Sequence, residues 1–120
     1  MTNPAFWQAL DTLVAQSEII IDRPKGSIHP HFADFIYPLD YGYLQNTTAM
    51  DGGGIDIWRG SSPSVEVGAI MCVVDLAKRD SEIKILIGCT AQEEELVYQA
   101  HNGTDFMKGM LIRRYESCQT

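Results

Sequence analysis

The sequence predicts an α+β domain in which a helix near each end flanks a small antiparallel sheet or barrel. Residues 4–17 carry apolar side chains at helical spacing, and a capping box precedes a second helical pattern at residues 91–102. Between them lie short runs of β-branched residues separated by Gly, Pro and charged residues, which is the pattern of strands joined by turns. The order helix, several strands, helix is typical of an α+β architecture.

The length of 120 residues predicts one domain, residues 1–120, and the composition is that of a globular protein. Sixteen acidic and nine basic residues give a formal charge of −7. Nucleic acids and anionic membranes both require a basic surface, so we expect neither as a partner. The N-terminus resembles no signal peptide and the cysteines form no paired motif, so we expect a cytoplasmic protein with reduced thiols at Cys72 and Cys89.

The N-terminal half should contain one helix, one strand and a long irregular region. Thr2 or Asn3 can cap the helix at residues 4–17. The run Ile19-Ile20-Ile21 is too short for a helix and predicts a strand. Residues 24–54 are dense in Pro, Gly and aromatic residues, a composition typical of packed loops and short strands.

The C-terminal half should contain most of the sheet. Three strands are predicted, at residues 55–59, 65–74 and 83–88. The second and third flank a charged segment, residues 75–82, which predicts a hairpin connection. Thr90 and Glu93 form the capping box of the helix at residues 91–102, and residues 110–112 can add a last short strand.

The carboxylates are unevenly distributed, and this singles out one candidate site. Asp51 and Asp56 flank three glycines that would let the backbone approach a ligand closely. Strand alternation places Asp56 on the face opposite its two isoleucine neighbours. Further acids end the first strand or crowd the predicted hairpin: Asp22, Asp75, Asp80 and Glu82. Carboxylate oxygens without His or thiolate partners are the ligands that Mg²⁺ and Mn²⁺ prefer, although acids in loops are also ordinary turn residues.

A tyrosine motif and one lysine add phosphate-binding chemistry to these acids. The motif is Tyr37-Pro38-Leu39-Asp40-Tyr41-Gly42-Tyr43. Tyrosine hydroxyls can donate to phosphate oxygens, but such a pattern is more often part of an aromatic core. Lys84 lies between two isoleucines and two positions from Glu82, on the same strand face. Lys84 either binds an anion beside the acids or points to water from an edge strand.

Taken in order, these motifs resemble the soluble Mg²⁺-dependent inorganic pyrophosphatases. They are Asp22-x-Pro24-Lys25-Gly26-Ser27, the tyrosine motif, Asp51-Gly-Gly-Gly-Ile-Asp56, Asp75 and Glu82-Ile-Lys84. The resemblance covers residues 18–88, and its specificity comes from the tyrosine and Asp51 motifs occurring together. It implies a five-stranded OB-like β-barrel, with an N-terminal and a C-terminal helix and an acidic site at one end.

The resemblance also implies which residues bind metal. Asp51, Asp56 and Asp75 match metal-binding aspartates, and Glu82 stands at a further ligand position. Asp22 stands at an acidic position that acts through metal-bound water. The implied cofactor is Mg²⁺, with Mn²⁺ as an alternative.

Other positions match residues that bind phosphate in this family. Lys84 matches a phosphate-binding lysine, and Tyr41 matches a tyrosine that contacts the metal and the phosphate. The segment before the tyrosine motif is shorter than in the family and lacks its phosphate-binding Lys and Arg. Basic residues of this segment could replace them: Arg23, Lys25, His29 and His31.

The implied activity is metal-dependent hydrolysis of inorganic pyrophosphate, or of another phosphoanhydride or phosphate ester, with Asp51, Asp56 and Lys84 as catalytic residues. The expected partner is therefore a small phosphate-containing substrate. The chain could also form a homo-oligomer through the apolar face of the first helix, unless that face covers the barrel.

Two departures from the family pattern leave alternatives open. Gly53 stands where the family has an aspartate that helps to activate the attacking water. A non-catalytic module that binds metal or phosphate on the same fold is therefore the alternative function. The hairpin segment is slightly long, so Asp80 could be a ligand in place of Glu82.

Overall fold

The computed structural model describes residues 3–115. Within this range the elements are α1 (Pro4–Ala15), β1 (Ile19–Arg23), β2 (Asp40–Leu44), β3 (Ile55–Arg59), β4 (Val67–Asp75), β5 (Asp80–Ile87), α2 (Ala91–Ala100) and β6 (Met107–Arg113). The α+β class and both helices are confirmed, and each helix ends two residues before its predicted end.

Local sequence explains the ends of the two helices. The side chain of Asn3 accepts the backbone N–H of Phe6 at the start of α1. At the start of α2, Thr90 accepts the N–H of Glu93 while the Glu93 carboxylate accepts the N–H of Thr90, so the predicted capping box is formed. The predicted hairpin is also present, because Asp75 at the end of β4 pairs with Asp80 at the start of β5.

The strands form one mixed sheet in the order β1-β2-β3-β5-β4-β6. The contacts between neighbouring strands are antiparallel except for the parallel pair β3 and β5. This corrects the predicted five-stranded OB-like barrel, because the described residues form a six-stranded sheet that is not closed, with β1 and β6 as its edges. The additional strand is β2, which lies in the region predicted to contain packed loops and short strands and has Gly42 at its centre.

One face of the sheet packs against α1. Trp7 and Val14 of α1 belong to this cluster, with Leu10 and Leu13 packed against it. The sheet contributes Leu44, Ile57, Val67, Ile70, Ile85 and Ile87. The apolar face of α1 is therefore buried against the sheet. This supports the expectation that this face covers the sheet rather than joining two copies of the chain.

The opposite face of the sheet packs against α2 and the segment of residues 24–39, which connects β1 to β2. Val97 of α2 and Tyr37 and Leu39 of the connecting segment bury Trp58 and the sheet residues around it. The other buried members of this cluster are Ala69, Met71, Val73 and Leu86. This second face also carries the residues of the candidate site.

The length of the helices and the burial of the cysteines bear on two predictions made from the sequence. Among residues 3–115, neither helix has the length and apolar character needed to cross a membrane. Cys72 and Cys89 are half-buried free thiols, as predicted, whereas Cys118 lies outside the described residues.

The close approach of β1 to β2 requires a glycine at position 42. A Cβ atom at this position would overlap the carbonyl oxygen of Ile20, so no side chain fits without moving the backbone. We expect Gly42→Ala to lower the free energy of unfolding by at least about 3 kcal/mol in urea denaturation followed by circular dichroism. In the exposed Gly103→Ala control, the nearest atom lies 3.6 Å away and the expected change is within about 0.5 kcal/mol. Equal effects of the two substitutions would contradict this account of β2.

Candidate functional site

The centre of the candidate site is the ammonium group of Lys84, which is only 7% exposed. Its Nζ donates to Tyr41 Oη at 2.6 Å, to Glu82 Oε1 at 2.6 Å and to Asp56 Oδ2 at 3.0 Å. Tyr41 Oη in turn donates to Asp56 Oδ2 at 2.7 Å. A lysine ammonium has three donors, so all of the hydrogen-bonding capacity of Lys84 is used by these three partners. We call Lys84, Tyr41, Asp56 and Glu82 the lysine cluster.

Strand alternation and register bring the lysine cluster together. Ile57 of β3 pairs with Ile85 of β5 in parallel register, so the preceding residues Asp56 and Lys84 are neighbours on the opposite face. Glu82 lies two positions before Lys84 and therefore on the same face. Tyr41 comes from β2, on the other side of β3. Three adjacent strands thus supply the cluster.

The electrostatics of the cluster fix the protonation of its central pair. Burial alone would lower the pKa of Lys84, but the surrounding Tyr41, Asp56 and Glu82 oxygens outweigh it and hold the pKa above its ordinary value. Burial raises the pKa of the Tyr41 hydroxyl, with Lys84 opposing and Asp56 adding to that shift. Lys84 is therefore charged and Tyr41 is neutral at physiological pH.

Asp75 occupies a different place from the lysine cluster. It is 5% exposed, and its Oδ1 accepts the backbone N–H groups of Ala77 and Lys78, both at 3.0 Å. These bonds build the turn between β4 and β5. Alternation still places Asp75 and its partner Asp80 on the sheet face that carries Glu82.

Asp51 lies in the exposed loop before β3, where its Oδ1 accepts the backbone N–H of Gly53 at 2.9 Å. It is not among the partners of Lys84. Within residues 3–115, no three His, Cys, Asp or Glu side chains are arranged so that they could hold a metal ion. The metal-ligand roles of the acids therefore stay predictions.

The basic residues expected to replace the phosphate-binding Lys and Arg of the family lie in and beside residues 24–39. Arg23 and Asp22 form a loose exposed ion pair at 3.9 Å. Lys25 is exposed, and its backbone N–H donates to Asp40 Oδ1 at 2.8 Å. The exposed His31 donates its backbone N–H to Nδ1 of His29 at 3.0 Å. Lys25 and His31 are thus exposed at the surface, whereas Arg23 Nη1 also donates to the backbone carbonyl of Asp22 at 3.2 Å.

Two residues behind the cluster were missed from the sequence. The indole N–H of Trp58 donates to Nε2 of His101 at 3.1 Å, and the Trp58 ring packs edge-on against Tyr41 with a centroid distance of 4.6 Å. Because an indole nitrogen only donates, His101 accepts at Nε2, and in its neutral form it carries its proton on Nδ1. Alternation could have placed Trp58 on the face of Asp56, but no motif connects it to His101.

Comparison with known proteins identifies the fold. No family model matches the sequence, and no curated protein matches it. The structure resembles that of an inorganic pyrophosphatase from Neisseria gonorrhoeae, with a TM-score of 0.52, 17% identity, and coverage of 77% of this chain and 71% of the other. It also matches an inorganic phosphatase from Anaplasma phagocytophilum, with a TM-score of 0.48, 14% identity, and coverage of 81% and 80%. The first likeness shows a pyrophosphatase-like fold.

The buried His101 makes a specific pH dependence of stability testable. Burial lowers its pKa from 6.5 to about 3, and the nearby Lys84 charge adds to the shift. Because the unfolded chain binds a proton at this residue before the folded one does, stability falls as the pH drops below 6.5. Gln can accept the Trp58 N–H but cannot titrate. In urea denaturation, we expect the free energy of unfolding of the wild type, relative to that of His101→Gln, to fall by about 3 kcal/mol between pH 7 and pH 4.

The control for this measurement is His31→Gln, at an exposed histidine. Its stability gap from the wild type should stay within about 0.5 kcal/mol over the same range. A constant gap for His101→Gln would show that His101 is not held neutral by its buried position.

Proposed function

We propose that this chain hydrolyses inorganic pyrophosphate, or a related phosphoanhydride or phosphate ester, with Mg²⁺ or Mn²⁺ as cofactor. The observation that carries the proposal is the lysine cluster, which holds a charged lysine and a neutral tyrosine hydroxyl beside two carboxylates. The pyrophosphatase-like fold adds support.

The surplus of acids makes a metal cofactor part of the proposal. Two like charges 4 Å apart repel by about 4 kcal/mol at an effective dielectric constant near 20, so these acids alone would repel a phosphate. The chemistry of these acids suits a hard cation, because carboxylate oxygens are the ligands that Mg²⁺ prefers, although no three of the described side chains are already arranged around one. The proposed ligands are Asp51, Asp56, Asp75 and Glu82, with Asp22 acting indirectly and Asp80 as the alternative to Glu82. A bound Mg²⁺ would supply positive charge against which phosphate oxygens can bind.

The residues of the chain would supply the remaining chemistry. Lys84 holds its proton and would stabilise negative charge that develops on a phosphate oxygen. The neutral Tyr41 hydroxyl donates to Asp56 and accepts from Lys84, and so orients both side chains. Asp56 or Asp51 would accept a proton from water as its oxygen attacks phosphorus and the bridging P–O bond breaks, and that proton then passes to the product.

Arg23, Lys25 and His31 would bind the phosphate farther from Lys84, because they lie in or beside the connecting segment and their side chains reach solvent. A cytoplasmic location, with the free thiols of Cys72 and Cys89, is part of the proposal, as is assembly into a homo-oligomer.

A second candidate function is a module that binds metal or phosphate without turnover. Two observations favour it. All three donors of Lys84 are used by protein groups, and Gly53 offers no carboxylate beside Asp51. Calorimetry that detects Mg²⁺ and pyrophosphate binding without phosphate release would favour this module over the hydrolase.

The hydrolase is tested by phosphate release from pyrophosphate with and without Mg²⁺ or Mn²⁺. Asp56→Asn keeps an oxygen that can accept from Tyr41 and removes the charge. We expect metal-dependent release by the wild type and a loss of at least about 10²-fold in Asp56→Asn. Glu95→Gln, a matched change at an exposed residue of α2, should leave the rate unchanged. Folded wild-type protein that releases no phosphate from pyrophosphate, polyphosphate or nucleotides would contradict the proposal.

Gly53→Asp separates the two candidate functions. A Cβ atom at Gly53 would meet only Asp51 Oδ1, at an ordinary 3.4 Å, so an aspartate fits in this exposed loop. We expect the new carboxylate to raise metal-dependent release by about 10-fold or more, since a positioned base contributes about 10²- to 10⁴-fold. Activity that appears only in Gly53→Asp would identify the wild type as the non-catalytic module. Gly103→Asp adds the same charge in another exposed turn and should change nothing.

A further inference from the structure

We propose that residues 24–39 form a platform for an aromatic base, so that the substrate of this chain is a nucleotide with a phosphoanhydride or phosphate ester rather than pyrophosphate alone. This inference rests on the proposed function, and it names the substrate class of the same site.

The first observation is a continuous path of aromatic rings that leads outward from the lysine cluster. Lys84 Nζ lies 5.1 Å from the centre of the Tyr41 ring, and the Tyr41 and Tyr37 rings are 5.3 Å apart. Tyr37 stacks on His29 at 6.1 Å with an angle of 9° between the rings, and His29 lies 4.9 Å from Phe32. The path therefore begins at a charged lysine and ends at an aromatic ring near the surface.

The outer end of this path is open to solvent. Phe32 is 52% exposed although its ring contacts His29, and His29 itself is half-buried. The Phe106 ring lies 6.1 Å from Phe32 and supports it from the side of β6. A large apolar ring held in place by other rings but left exposed can stack on a planar ligand.

The second observation is positive charge around the same rings. The His31 ring lies 5.9 Å from the His29 ring. Burial lowers the pKa of His29, and the positive charges of His31, Arg23 and Lys78 lower it further. Lys78 stands on the turn that Asp75 builds, because its backbone N–H donates to Asp75. Arg23 also lies near the Tyr37 hydroxyl, where it and Lys84 oppose the rise in pKa that burial causes.

The acids of this surface leave the positive charge available. Asp22 meets Arg23 only at 3.9 Å in an exposed pair, and Asp34 is exposed within the connecting segment. Basic groups interleaved with exposed aromatic rings are the arrangement that proteins use to bind a base together with its phosphates.

The charge of the whole chain decides between a single nucleotide and a polymer. Nucleic-acid chains are bound by broad basic surfaces, and a net charge of −7 provides none. A mononucleotide needs only a few cations beside one ring. A contact with a second copy of the chain would more readily use the exposed Ile28 and Ile36, which pair with each other and alternate away from the rings.

The test compares ligands with and without a base. Binding of adenosine diphosphate, guanosine diphosphate and pyrophosphate is measured by calorimetry with Mg²⁺, and phosphate release is measured for each. Phe32→Leu keeps an apolar side chain without a ring, whereas Phe32→Tyr keeps the ring. We expect Phe32→Leu to weaken binding of both nucleotides by at least about 5-fold and Phe32→Tyr to retain it. Pyrophosphate binding should not change in either variant.

A matched control is Phe6→Leu on α1, at a residue that is 39% exposed and lies on the helix that covers the other sheet face. Thermal denaturation checks that each variant is folded. Phe32-dependent nucleotide binding without phosphate release from any compound would support the platform while contradicting the hydrolase. Release from pyrophosphate without nucleotide binding would overturn the platform and leave the hydrolase standing. Nucleotide binding that is the same in Phe32→Leu, or a change confined to the oligomeric state, would also overturn the platform.

Discussion

The buried ammonium group of Lys84 needs negative charge and hydrogen-bond acceptors around it. This requirement determines how the side chains are arranged on the second face of the sheet. Lys84 would be strongly destabilising without partners, because moving an unpaired charge out of water is costly. Asp56 and Glu82 supply the negative charge, and Tyr41 supplies a third acceptor. These groups come from β2, β3 and β5, so compensation depends on the parallel pairing of β3 with β5 and on the register of both strands. A shift of one residue would move one of the partners to the α1 face.

Several aromatic rings pack behind the lysine cluster, which limits how far its members can move. Trp58 packs against Tyr41 and is itself fixed by its hydrogen bond to His101. Tyr37 packs against both Tyr41 and Trp58 from the connecting segment. The position of Tyr41 is therefore determined from three sides: by Lys84 and Asp56 through its hydroxyl, and by two rings through its aromatic face. Rigid support of this kind is what a phosphate-binding site requires.

Local patterns predict most of the elements, whereas the pairing between distant segments needs the structure. Helix α2 follows from its capping box and β3 from alternation, and both were predicted within two residues. The position of strand β2 was not predicted within the region of packed loops and short strands, because Gly42 suggests a loop in isolation and is required only once β1 lies beside it. Likewise, alternation places Asp56 on one face of β3 and Lys84 on one face of β5. Their contact depends on the parallel pairing of these two strands, which are separated by β4 in the sequence. The pairing of Trp58 with His101 spans 43 residues and leaves no local signal.

Because all three donors of the Lys84 ammonium group are used by protein groups, substrate binding at this residue must displace one of them. A phosphate oxygen that binds Nζ must take the place of Tyr41, Asp56 or Glu82, since the ammonium group has no fourth donor. Glu82 lies on the same strand as Lys84 and is the carboxylate nearest its Nζ, at 2.6 Å. If Glu82 is displaced, its charge loses its partner and needs another cation nearby. Under the proposed function, substrate binding at Lys84 and cation binding at Glu82 would therefore be thermodynamically coupled, and each would strengthen the other.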